Sequence, residues 1–194
     1  MSRVHTLAAV GVLALLALGM GMGKHDAAPF VGPTGEPQAV DASMFVGKGR
    51  DEVAIDTSVT VAAPRAEVYR RFTTGEGWKQ FLGADAAIDL RIGGPWEIYF
   101  DPATKIGSNG CQVLSYVPDE MVSFSWNAPP KFEQERARRT WVVVTFADAG
   151  QGKTAVRLRH LGFTSEGNWP TVKEYFAKAW PNVLKALEQS YGTK

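Results

Sequence analysis

The chain has 194 residues, of which 45% are hydrophobic and 11% aromatic, enough apolar material for one packed domain and a short extra segment. Its formal charge is +1 and it has no block of Lys or Arg, which argues against nucleic acid as the partner. The densest basic patch, Arg136-Ala137-Arg138-Arg139, reads as a solvated loop. The lone Cys111 has no internal disulfide partner and sits in the apolar run Cys111-Gln112-Val113-Leu114. It reads as a buried inert thiol, because nothing near it in the sequence supplies the base or positive setting a nucleophile needs.

In chain order, the first segment reads as a targeting sequence. Arg3 gives a positive start, and from Leu7 to Met20 every residue is apolar or Gly before Lys24, His25 and Asp26 stop the run. That is the length and flanking of an export signal, short for a membrane span. Two readings stay open over 1–28, a cleaved signal and an uncleaved N-terminal anchor; both place the remainder outside the cytoplasm, periplasmic or extracellular. No Cys follows the run, which excludes a lipoprotein anchor. Residues 29–50, with Pro29, Pro33, Pro37 and several glycines, read as a linker or arm, on which Met44, Phe45 and Val46 offer apolar contacts.

The domain is expected over 51–194. Val53 to Val61 alternates apolar and polar residues, as a half-buried strand does. Pro64 opens a short helix carrying Val68, Tyr69 and Phe72 that Gly75 and Gly77 end; a second short helix is expected over 78–82. Strands follow at 88–92, from Pro95 through Phe100, at 111–116, at 122–126, at 141–146 and at 156–161, with Gly and Pro turns between them. The apolar run 141–146 leaves its facing open. From Pro170 to Tyr191 the period becomes helical, and Pro181 inside that helix predicts a kink. Short turns imply hairpins, so the fold class is α+β: a curved antiparallel sheet of six or seven strands around a long C-terminal helix, with two short helices after the first strand. A cavity between sheet and helix is a natural ligand site.

These residues resemble a known family. The run Val59-Thr60-Val61-Ala62-Ala63-Pro64-Arg65-Ala66-Glu67-Val68-Tyr69 is similar to the opening of activator of Hsp90 ATPase homologue domains, of the START/Bet v 1-like SRPBCC superfamily. Trp78 with Phe81-Leu82, Ile92-Gly93-Gly94-Pro95-Trp96, Pro118-Asp119 before Val122-Ser123-Phe124-Ser125-Trp126, and Leu158-Arg159-His160-Leu161-Gly162-Phe163 resemble its successive motifs. Arg159 stands where the family usually has Thr. Trp180, Leu184 and Leu187 resemble its closing helix. The resemblance spans about Glu52 to Tyr191 and implies a helix-grip fold. It says little about function, because this scaffold hosts binders, cyclases and chaperone activators.

Seven residues are candidates for lining a ligand cavity: Trp96, Phe100, Phe124, Trp126, Phe176 and Trp180 on the inward faces, and His160 on the face shared with Val156 and Leu158. For the aromatics, simple core packing is the competing reading, and the two are compatible. For His160 the alternatives are a satisfied core histidine, a polar ligand contact and, least favoured, a general base oriented by Asp85, Asp89 or Glu97. The three His and one Cys form no metal set, and no phosphate-cradling loop or nucleophile elbow is visible, so neither cofactor nor metal is expected. The polar side of the last helix, with Lys173, Glu174, Lys178, Lys185 and Glu188, reads as solvent-facing rather than as a partner surface. The expected activity is binding of a small apolar or amphipathic molecule. A protein-interaction module and, behind it, a cyclase- or hydrolase-like enzyme using His160 remain alternatives, and the oligomeric state is open.

Overall fold

In the computed structural model the described residues are 55–101 and 103–192. The expected signal or anchor over 1–28 and the arm over 29–50 lie outside them.

Alternation in Ile55-Asp56-Thr57-Ser58-Val59-Thr60-Val61 produces strand β1 (Ile55–Val61). Pro64 then starts α1 (Arg65–Phe72), which buries Val68, Tyr69 and Phe72. The Thr74 hydroxyl accepts the Gly77 N–H at 3.2 Å and caps α2 (Gly75–Leu82). Gly75 and Gly77 thus sit inside the second helix rather than ending the first, because the cap at Thr74 sets the boundary before either glycine.

The strands follow as β2 (Asp85–Ile88), β3 (Trp96–Asp101), β4 (Ile106–Gly107), β5 (Val113–Val117), β6 (Met121–Trp126), β7 (Thr140–Asp148) and β8 (Thr154–Leu161). They form an antiparallel five-stranded ladder, β1-β8-β7-β6-β5, and a three-stranded one, β2-β3-β4. The expected antiparallel sheet is therefore present as two ladders. They join where β3 begins: Trp96 N–H donates to the Cys111 carbonyl at 2.8 Å and Val113 N–H to the Gly94 carbonyl at 2.9 Å.

The strand expected at 88–92 starts and ends earlier. After Ile88 the chain folds into a tight turn, with Gly94 N–H on the Arg91 carbonyl at 2.8 Å. A Cβ on Gly94 would stand 2.3 Å from the Asp89 carbonyl oxygen, so only glycine permits this turn. Ile92 is left on the surface. In β7 the open facing resolves into alternation: Val142, Val144 and Phe146 are buried, and Trp141, Val143 and Thr145 half-buried.

The long helix α4 (Trp169–Gln189) buries Val172, Phe176, Trp180, Val183, Leu184 and Leu187, a stripe at helical spacing. Pro170 lies in its first turn. Pro181 offers no N–H to the Ala177 carbonyl, yet one helix runs through it. Arg71 secures the far end: its guanidinium donates to the Ser190 carbonyl at 3.1 Å and lies 3.8 Å from the Tyr191 ring centroid. A cation there also complements the C-terminal end of the helix dipole. The chain has the α+β helix-grip architecture, with α4 against the five-stranded ladder.

Candidate functional site

The bulk of the aromatic core is closed. Trp96 and Phe124 stack 4.2 Å apart at 8°, both with no exposed surface, and Phe72 packs beside them. Offset stacking of this kind fills space rather than leaving it.

Farther along the sheet the packing opens. A cavity of about 270 Å³ lies between α4, the end of β3, β4 and the segment Trp126 to Pro130. Phe100, Ile106, Trp126, Tyr175, Phe176, Ala179, Trp180 and Val183 give it apolar walls. Trp126 and Trp180 meet at 5.0 Å between centroids and form its floor with Phe176. Phe100, Ile106 and Tyr175 are the exposed apolar residues among the lining.

Phe100 departs from expectation. Alternation placed it inward beside Trp96 and Ile98, but it is 51% exposed. Tyr99 opposes Gly107 and Asp101 opposes Ile106, so Phe100 is the extra residue of a β-bulge. A bulge breaks the two-residue period and re-aims the side chain; here it edges the cavity, 6.3 Å from Trp126 by centroids. Gly107 makes the bulge possible, because a Cβ there would lie 1.7 Å from the Ile98 carbonyl oxygen.

His160 is fully buried behind the floor. The Trp180 indole N–H, a donor only, gives its hydrogen to His160 Nδ1 at 2.9 Å. Nε2 therefore carries the ring proton and donates to Thr140 Oγ1 at 2.7 Å, and that hydroxyl donates to the Trp126 carbonyl at 3.2 Å. Every hydrogen in this relay is donated. Burial pulls the imidazole down to about 3, so it is neutral at physiological pH. None of the expected carboxylates orients it: Asp85 pairs with Lys79, Asp89 with Arg91, and Glu97 accepts from Tyr99 Oη and Gly110 N–H. His160 is absent from the cavity lining.

Of the seven sequence candidates, Phe100, Trp126, Phe176 and Trp180 thus come together on the cavity. Trp96 and Phe124 belong to the closed core, and His160 holds Trp180 from behind.

The sequence reading missed Arg136. It lies on a short helix, α3 (Glu133–Ala137), inside what read as a solvated loop. Its neighbour Glu135 anchors that helix. Glu135 is buried, and its Oε1 accepts the Asn168 N–H at 2.8 Å at the entrance to α4. That hydrogen bond holds the carboxyl below its ordinary value. Arg136 then turns to the cavity wall, donating from Nη1 to the Ala128 carbonyl at 2.5 Å and from Nη2 to the Gly107 carbonyl at 2.7 Å. The only signal in the sequence was the alternation of charge in Glu133-Gln134-Glu135-Arg136, which does not distinguish a short buried helix from a loop.

Cys111 is buried, and burial pushes its thiol up to about 11. It is therefore protonated and unreactive at neutral pH. Among the described residues no group of three His, Cys, Asp or Glu could hold a metal ion. No helix among them is long and apolar enough to cross a membrane.

A sequence profile for "Activator of Hsp90 ATPase homolog 1-like protein" matches residues 62–192. A comparison with curated proteins gave no match. Among solved structures, the Aha1 dimer from Colwellia psychrerythraea superposes with a TM-score of 0.56 at 18% identity, covering 71% of this chain and 94% of that one. CalU16 from Micromonospora echinospora gives 0.54 at 20% identity, covering 74% and 82%. A Bacillus halodurans protein gives 0.55 at 18% identity, covering 74% and 99%. At these identities the likeness carries the fold alone.

Proposed function

The chain belongs to the Activator of Hsp90 ATPase homolog 1-like family, and on that footing we propose that it is a non-catalytic binding protein for an apolar or amphipathic small molecule. The observation that carries this reading is the cavity between sheet and α4, walled by Phe100, Trp126, Phe176 and Trp180, within an otherwise filled aromatic core. Burial of apolar ligand surface supplies affinity at roughly 25 cal/mol per Å², less the cost of ordering. The neutral relay through His160 keeps the Trp180 ring in one orientation and sends no free lone pair into the cavity. That favours holding a ligand over transforming one.

The test is native mass spectrometry of the purified protein, followed by denaturing extraction. A discrete small-molecule mass, absent from a folded Trp126→Ala variant, supports binding. A bare protein that also refuses a hydrophobic probe dye argues against it.

A second reading, a protein-interaction module, draws support from Leu114 and Val117, exposed on the outer ladder strand β5, and from the exposed Ile92 nearby. Pull-down with Leu114→Glu as the control separates it from the first. We also propose that the protein works outside the cytoplasm, on the strength of Arg3 and the apolar run Leu7 to Met20. Fractionation of cells expressing the full chain tests this; recovery in the cytoplasm alone would refute it.

A further inference from the structure

We propose that the cavity takes a ligand with an apolar body and a carboxylate head, and that Arg136 binds the head; this rests on the binding reading above. Arg71, Arg91, Arg157 and Arg159 each meet a carboxylate. Arg136, half-buried in the cavity wall, meets none among the described residues. Its partners are all neutral: the carbonyls of Ala128 and Gly107, and Asn109 Oδ1 at 3.4 Å. These bonds orient the guanidinium without neutralising it. Three of its five N–H donors are thereby used, leaving Nε and one on Nη1.

One further fact agrees. Arg139 adds a second cation on the same framework, donating to the Asn109 and Arg136 carbonyls. Asp101, the carboxylate on the cavity, forms no ion pair with Arg136. Its Oδ1 accepts the N–H groups of Ala103 at 3.0 Å and Thr104 at 3.3 Å, at the exposed end of β3. A guanidinium held beside an apolar chamber with no counter-charge complements a carboxylate head in charge. A cationic head would set like charges side by side at the half-buried arginine, and a neutral head would gain no charge-assisted bond.

The experiment titrates the full-length protein with decanoate, decanol and decylammonium, which share one tail and differ in head charge. The readout is tryptophan fluorescence, since Trp126 and Trp180 form the floor. The expected order is decanoate tighter than decanol by roughly tenfold or more, with decylammonium weakest. Arg136→Met should bring the ratio of decanoate to decanol affinity, both measured in that variant, down to about one, and Arg136→Lys should keep part of the preference. Equal affinities for decanoate and decanol in the unaltered protein overturn the assignment of the head. So does a decanoate preference that survives in a folded Arg136→Met. Saturable decanol binding with either of those results leaves the cavity reading standing; no saturable binding of any of the three overturns both. If Arg136→Met fails to fold, the decylammonium comparison decides the charge of the head without any variant, and a preference undiminished in Arg136→Lys overturns its assignment to Arg136.

Discussion

Trp180 donates its indole N–H to Nδ1 of His160 at 2.9 Å, and that bond places the ring proton of the buried imidazole on Nε2. A ring fixed in this way is a strut between α4 and β8.

The strut gives stability a pH dependence. Unfolded, the imidazole titrates near its ordinary 6.5; folded, burial holds it at about 3. Above 6.5 both states are neutral there and its contribution is complete. As pH falls from 6.5 toward 3, the unfolded chain takes the proton and the native state does not. Stability then drops by roughly 1.4 kcal/mol per pH unit from this site. Urea denaturation at about pH 7 and about pH 5 should show the fall. His160→Leu should be less stable at neutral pH by about 2–4 kcal/mol, because the Trp180 N–H and Thr140 hydroxyl lose their partner. It should also have a flatter pH slope, and parallel slopes would show that His160 is not the titrating group.

Trp180→Phe removes the same bond together with one ring of the buried indole, so Nδ1 loses its donor and a small cavity opens, at a cost of about 2–4 kcal/mol. The imidazole is then free to exchange tautomers, visible in nitrogen-15 shifts of His160. An unchanged single tautomer would mean that Thr140 suffices to hold it.

Phe100→Ser separates binding from folding. The side chain is half-exposed on a bulge, so thermal stability should change by less than about 0.5 kcal/mol. Affinity for an apolar probe should fall several-fold, because an apolar wall is lost at the mouth. A probe titration that overlays the unaltered protein would remove Phe100 from the site.

Gly107→Ala and Gly83→Ala form a contrasting pair. At Gly107 the added methyl would collide with the Ile98 backbone at 1.7 Å, so β3 and β4 must separate. At Gly83, with φ of 71°, nothing lies within 4 Å, and the cost is the left-handed conformation alone, about 1 kcal/mol. Melting curves should rank Gly107→Ala well below Gly83→Ala; the reverse order would contradict the close approach.

Much of this architecture was legible because period and burial agree in its long elements. Val156, Leu158 and His160 on β8, and the stripe from Val172 to Leu187 on α4, repeat often enough to outvote local exceptions. The site was less legible, for two local reasons. At Phe100 one extra residue shifts the period, and alternation has no memory of a bulge that a later glycine makes possible. At Arg136 the guanidinium is drawn inward by carbonyls from Gly107 and Ala128, contacts distant in sequence that leave no trace in the run Arg136-Ala137-Arg138-Arg139. Gly75 and Gly77 misled for a related reason: glycine ends helices by its conformation, but at a helix start it is tolerated once Thr74 has supplied the cap.

The bulge at Phe100 has a consequence for how such a protein can diverge. The five-stranded ladder and the buried stripe of α4 carry the fold, while the mouth of the cavity is built from the short ladder, the Pro129-Pro130 segment and α3. Substitutions at the exposed side chains of that outer set, Phe100 and Ile106, reshape the entrance with little penalty to the frame. A descendant of this chain could therefore exchange one ligand for another without first becoming unstable.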